Sequence, residues 1–155
     1  MDDGRLLRQV AACAVLLAVA GCGGDISPTG GDADFQTRRQ MGALASFYGD
    51  YLSAHGAPPA DEAAFRTFLQ EYSKRIERMD VGGVDGLLKS PRDEQPLVVV
   101  YGKRLAPADS PNTPWAAHEQ TGVDGKRMAA QVRGEIAELT TAEIEKQIPA
   151  APAKK

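Results

Sequence analysis

Two apolar stripes at helical spacing, one straight after the other, set the terms for any fold of this chain. Between Phe35 and His55, residues Leu44, Phe47, Tyr48, Tyr51 and Leu52 recur at i, i+3, i+4, i+7 and i+8, which lines them along one side of a helix. Asp34 stands where a cap belongs, and Gly56 followed by Pro58-Pro59 stops the pattern. From Ala60 to Met79 a second stripe runs through Phe65, Phe68, Leu69, Tyr72, Ile76 and Met79. Asp61 and Glu62 lie near its positive end and Lys74, Arg75 and Arg78 near its negative end, as the helix dipole favours. Both aromatic stripes read as core.

The period then changes. Asp80 to Pro96 carries Gly82-Gly83, Asp85-Gly86 and Ser90-Pro91, and reads as loop. Leu97 to Tyr101 is a continuous β-branched run, expected to be a strand covered on both faces. Lys103 to Pro114, with three prolines, is an irregular excursion, and Trp115 to Glu119 reads as a strand with Trp115 in the core. Asp124-Gly125 is a hairpin turn leading into Lys126 to Arg133. There Met128, Ala130 and Val132 alternate with Arg127 and Gln131. Arg133-Gly134 turns the chain into a short strand, Glu135 to Leu139, and Thr140-Thr141-Ala142-Glu143 matches a capping box that opens a helix ended by Pro149. The expected class is α+β: two amphipathic helices followed by a small antiparallel sheet.

With 155 residues there is material for one domain. Lys and Arg number 18 against 21 Asp and Glu, a net charge of −3, whereas a nucleic-acid binder needs a basic surplus to displace counterions. Nucleic acid is therefore not an expected partner. Two Cys and two His offer little for a metal cluster or a disulfide scaffold.

The N-terminus points to a compartment. Arg5 and Arg8 precede the uncharged run Val10–Val19, long enough for a signal-peptide core but far short of the about 20 residues of a bilayer span. Cys13, inside this run, reads as apolar filler. The run ends in Val19-Ala20-Gly21-Cys22, which resembles the lipobox of bacterial lipoproteins. That resemblance implies cleavage before Cys22 and a diacylglyceryl group on its thiol. Residues 1–21 are then a lipoprotein signal peptide, and 22–34, with its Gly-rich stretch, a lipidated flexible tether. Residues 35–148 form the domain, and 149–155 a disordered tail. Acyl chains would make the membrane a partner, and Gly23 after the cysteine suggests the outer membrane, facing the periplasm or the cell surface.

Within the domain, "HGAPPADEAAFRTFL", "LLKSPRDEQPLVVVYG" and "PWAAHEQTGVDGKRMAAQVRGEIAELTTAEIEK" look like the globular region of type II secretion pseudopilins. More closely, the chain is similar to the pseudopilin-like lipoproteins and prepilin-like proteins abundant in planctomycetes. The resemblance covers about residues 35 to 148 and implies a pilin-like globular domain. Two departures stand out. A lipobox takes the place of the prepilin leader and hydrophobic stalk. Arg133-Gly134 also stands where such relatives often carry Asp-Gly, so a carboxylate that could serve a calcium site is missing.

His55, before Gly56, reads as a residue favoured by the negative end of a helix. His118 and Glu119 are adjacent on a strand and so point to opposite faces, which argues against a paired acid–base role. Asp80, Asp85, Asp93, Asp109 and Asp124 lie in loops without the spacing of a calcium loop. Ser90-Pro91-Arg92-Asp93 reads as a turn in which Arg92 and Asp93 pin the loop against the next strand; its functional alternative is a recognition loop for a protein partner. No catalytic, metal or cofactor residue is expected, and Cys22 is the one site residue, for lipid attachment. The leading expectation is a non-enzymatic, lipid-anchored envelope protein with a binding, structural or secretion-accessory role. The alternatives are a small periplasmic hydrolase or carbohydrate-binding enzyme using loop carboxylates, and a cell-wall-associated lipoprotein.

Overall fold

The computed structural model describes residues 30–102 and 114–148. The signal peptide, Cys22, the tail and Asp109 lie outside these residues. The chain opens with α1 (Gly30–His55), α2 (Glu62–Glu71), α3 (Ser73–Glu77) and α4 (Gly83–Leu87). Strands β1 (Val98–Val99), β2 (Trp115–His118), β3 (Lys126–Gln131) and β4 (Ile136–Thr140) follow, and α5 (Thr141–Gln147) closes the domain. The four strands form an antiparallel sheet in sequence order. Four helices precede the sheet and one short helix follows it, and the class is α+β, as the change of period implies.

The sheet is covered on both sides. On one, Ala116, Ala117, Met128 and Ala130 pack with Met41, Leu44, Phe47 and Tyr48 of α1 and with Phe65, Phe68 and Leu69 of α2. The bulk comes from the helices, and the strands supply mostly alanine, so α1 lies close on the sheet. The buried Tyr48 hydroxyl donates to the Val100 carbonyl at 2.6 Å, and burial pushes its pKa up. On the other side Ile144 and Ile148 close over Val100, Trp115, Ala129 and Leu139. The alternation in β3 therefore does not divide core from solvent: Ala129 and Gln131 are buried along with Met128 and Ala130.

Four local features depart from the sequence reading. Helix α1 begins at Gly30, so residues 30–34 belong to the helix and not to a tether, and Asp34 lies inside it. Asp32 in the first turn meets the positive helix end, and Asp34 turns to Arg92 instead of capping. The second helix is broken at Tyr72 (φ −102°, ψ 13°), whose N–H bonds to the Leu69 carbonyl at 3.0 Å. Its ring packs against Phe68 and Phe47 at 4.9 and 5.8 Å. The stretch read as loop contains α4, whose Val84 and Leu87 are buried. Strand β1 has two residues and its Val98 is 38% exposed: α5, seven residues long, reaches Val100 but leaves Val98 uncovered.

Asp61 caps α2 through the Ala64 N–H at 2.9 Å. Thr140 and Glu143 form a reciprocal capping box on α5. Asp124 (φ 52°) and Gly125 (φ 73°) make the hairpin turn, with Val123 and Lys126 exchanging backbone hydrogen bonds of 2.9 and 3.0 Å. His55 ends α1, its ring 4.2 Å from that of Tyr51.

Candidate functional site: the Arg92 clamp

The most concentrated polar chemistry of the domain grows from Ser90-Pro91-Arg92-Asp93. The Ser90 N–H bonds to the Gln95 carbonyl at 2.9 Å, and the Leu97 N–H to the Leu88 carbonyl at 2.8 Å, closing residues 90–95 into a tight loop with Glu94 at φ 56°. Its two turns are held from within. The Arg92 N–H donates to Ser90 Oγ at 3.2 Å and the Gln95 N–H to Asp93 Oδ1 at 3.1 Å, side-chain turns that Ser and Asp favour.

From this loop Arg92 reaches three other segments. Nη1 donates to Glu138 Oε1 on β4 at 2.7 Å. Nη2 donates to the carbonyls of Val123 and Lys126 at 3.3 and 3.2 Å, across the mouth of the β2–β3 turn. Nε lies 3.5 Å from Asp34 Oδ1 on α1 and 4.0 Å from Glu119 Oε2, though it makes no aligned hydrogen bond among the described residues. The side chain is only 6% exposed. Burial pulls its pKa down, but the Glu138 bond and the surrounding carboxylates outweigh this and hold it above its ordinary value. In the same pair, the bond from Arg92 holds the Glu138 carboxyl below its ordinary value.

Asp93 does the complementary work. Its Oδ2 accepts from the N–H groups of Thr121 and Gly122 at 3.1 and 2.7 Å. Burial pushes this carboxyl up, and the N–H groups of Gly122, Gln95 and Thr121 more than offset it, so its pKa is lowered. Gly122 sits at φ +73°, and a Cβ there would overlap the Lys126 carbonyl. Arg92 and Asp93 thus do pin the loop, but against the 121–126 hairpin and β4 and not against the next strand, β1.

Nothing in the sequence marks Glu119 beyond its place next to His118, yet it is the buried centre of the cluster. Its residue is fully buried. Oε1 accepts from Ser90 Oγ at 2.8 Å, and Oε2 from the Met128 N–H at 2.7 Å. Its backbone carbonyl is occupied instead by His118, whose Nδ1 lies 2.7 Å away; a carbonyl only accepts, so Nδ1 carries the proton. The carboxylate therefore takes the ladder position on Met128. The side chains of His118 and Glu119 do not form an acid–base pair. Burial holds the His118 pKa below its ordinary value, helped by the charge of Arg127 and opposed by the bond to Glu119.

The loop aspartates do not converge. Asp85 pairs with Arg66, Asp93 holds backbone N–H groups, and Asp124 forms the turn. Among the described residues, no group of three or more His, Cys, Asp or Glu is placed to hold a metal ion, and no helix is long and apolar enough to cross a membrane. A groove of about 570 Å³ runs beside Gly42, Ser46 and Gly49 of α1 and the Val132–Gly134 turn. Leu52, Ser53 and Arg133 also line it, and the Asp50 carboxylate on it lies 3.4 Å from Arg75.

Comparison with protein-family models, with curated proteins and with solved structures yields no match. Chemically, the Arg92 cluster joins α1, the 90–95 loop, the β2–β3 hairpin and β4 by charge and hydrogen bonds. Its donors and acceptors face one another.

Proposed function

We propose that this chain is a lipid-anchored bacterial envelope protein whose α+β domain, pseudopilin-like in plan, acts by binding and holding and not by catalysis. The observation that carries the reading is Val19-Ala20-Gly21-Cys22, placed directly behind the arginines and the uncharged run Val10–Val19. Small residues before a cysteine suit a signal peptidase, and the thiol of Cys22 is the nucleophile that takes the diacylglyceryl group. Two or three acyl chains give stable anchoring where one is marginal. The anchor lies on the outer membrane, with the domain facing the periplasm or the cell surface and meeting an envelope partner of a secretion or pilus-like machine.

The order of elements supports the pilin-like part of this reading: a long first helix laid on an antiparallel meander. The closed Arg92 cluster supports a holding role over a hydrolase, because Glu119, Glu138 and Asp93 are each already engaged. The test is palmitate labelling in the native envelope together with mass spectrometry of the mature N-terminus. Wild type is expected to carry label at Cys22, and Cys22→Ala to carry none. An unlabelled wild type, or undiminished label in Cys22→Ala, overturns the proposal.

A further inference from the structure

We propose that the end of the domain carrying Phe35 and Val123 rests on the phospholipid surface, with these two side chains at the headgroup–acyl boundary. The inference rests on the lipid anchor at Cys22 proposed above. Among the described residues, the large apolar side chains left exposed are Phe35 at 63%, Val98 at 38% and Val123 at 38%. Two of these three are brought to one end by one guanidinium. Arg92 Nε lies 3.5 Å from the carboxylate of Asp34, the residue before Phe35, and its Nη2 donates to the Val123 carbonyl at 3.3 Å. Neither Phe35 nor Val123 belongs to a core cluster of the domain.

The covalent geometry selects the occupant. Helix α1 starts at this same end, at Gly30, and residues 23–29 separate it from Cys22. Even fully extended, that link spans at most about 28 Å, so the lipid surface is the nearest large apolar phase to Phe35. Two side chains would hold a free protein on a bilayer only marginally. A short covalent link raises the local concentration to roughly the millimolar range, where weak contacts are occupied. Charge at this end is mixed: Arg38 and Lys126 are exposed, but so are Asp32 and Asp124, while Asp34 and Glu138 face Arg92. Contact is therefore carried by the apolar groups and does not require anionic lipid.

The experiment uses the full-length acylated protein in phosphatidylcholine vesicles, with an environment-sensitive fluorophore on Gln36→Cys or, as control, on Gln70→Cys of α2; both positions are exposed. On vesicles, quenching by aqueous iodide is expected to fall by at least about threefold at position 36 relative to position 70, and adding Phe35→Ser with Val123→Ser should restore it. Equal quenching at 36 and 70 overturns the inference. So does protection at 36 that appears without vesicles and grows with protein concentration in the unacylated Cys22→Ser chain, which would assign the patch to a second copy. The mass of the same preparation separates the two readings. An acylated chain with equal quenching removes only this inference, whereas an unacylated wild type removes the anchor itself.

Discussion

Arg92 Nη1 donates to Glu138 Oε1 at 2.7 Å, tying together residues 46 apart in sequence. The same guanidinium spans the β2–β3 turn and approaches Asp34 and Glu119. It has one positive charge for three carboxylates, one of them fully buried. Removing it strips Glu138 of its hydrogen-bond donor and leaves the buried Glu119 charge without the nearby guanidinium, while the Val123 and Lys126 carbonyls keep only their bonds to each other's N–H.

Arg92→Met is accordingly expected to destabilise the domain by about 3–5 kcal/mol, the usual cost of breaking a buried ion pair from one side. Arg92→Lys should recover only part of this, because an ammonium cannot serve Glu138 and both carbonyls in one plane. Urea titration of the three proteins checks the order; equal midpoints for Arg92→Met and wild type would refute it.

Gly122→Ala should cost more than Gly125→Ala. Both glycines have φ +73°, but only at Gly122 does a Cβ meet the Lys126 carbonyl. Left-handed backbone alone costs a non-glycine residue about 1–2 kcal/mol, and Gly125→Ala is expected to lose about that much. Gly122→Ala carries the overlap in addition and weakens the N–H bond to Asp93. The measurement is the difference in unfolding midpoint at constant m.

Stability should fall on acidification in two stages. The folded His118 pKa lies below its ordinary 6.5, so its contribution is fully present above pH 6.5 and declines as the pH drops below that value. Asp93 and Glu138 are lowered from 3.8 and 4.5, so their contributions are present above those values and lost below them. Unfolding free energy measured from pH 8 to pH 3 tests this. His118→Asn should flatten the upper stage and Asp93→Asn the lower one.

Thr140→Ala removes the cap of α5 and is expected to cost about 1 kcal/mol. The Glu143 N–H, which donates to Thr140 Oγ1 at 3.3 Å, should lose protection. Because Ile144 and Ile148 cover Ala129 and Trp115, loosening should spread to the α5 side of the sheet before the α1 side. Hydrogen exchange resolved by residue reads this directly; uniform loosening of both sides would contradict it.

What the sequence made legible was local. Thr140–Glu143 and Asp124-Gly125 carry their geometry in adjacent residues, and the aromatic stripes need only helical periodicity. What escaped depends on distant contacts. Helix α1 extends back to Gly30 with Asp34 facing Arg92, 58 positions later, and nothing near Asp34 announces that partner. The break at Tyr72 falls within a continuous apolar stripe, where the ring packs on α1. Glu119 follows a short strand, and its burial depends on Ser90, Arg92 and Met128 arriving together. The Ser90–Asp93 string was recognisable as a pin, but which hairpin it pins was not.

The alanines of the sheet, Ala116, Ala117 and Ala130, face the bulky side chains of α1 and α2. Shape is therefore shared unequally: the helices supply the knobs and the strands the flat bed. Enlarging one of these alanines needs a matching reduction at a position such as Met41, Leu44 or Tyr48. Divergent descendants of this chain should accordingly change such positions in compensating pairs, while Phe35 and Val123, which belong to neither core cluster, drift free of that constraint.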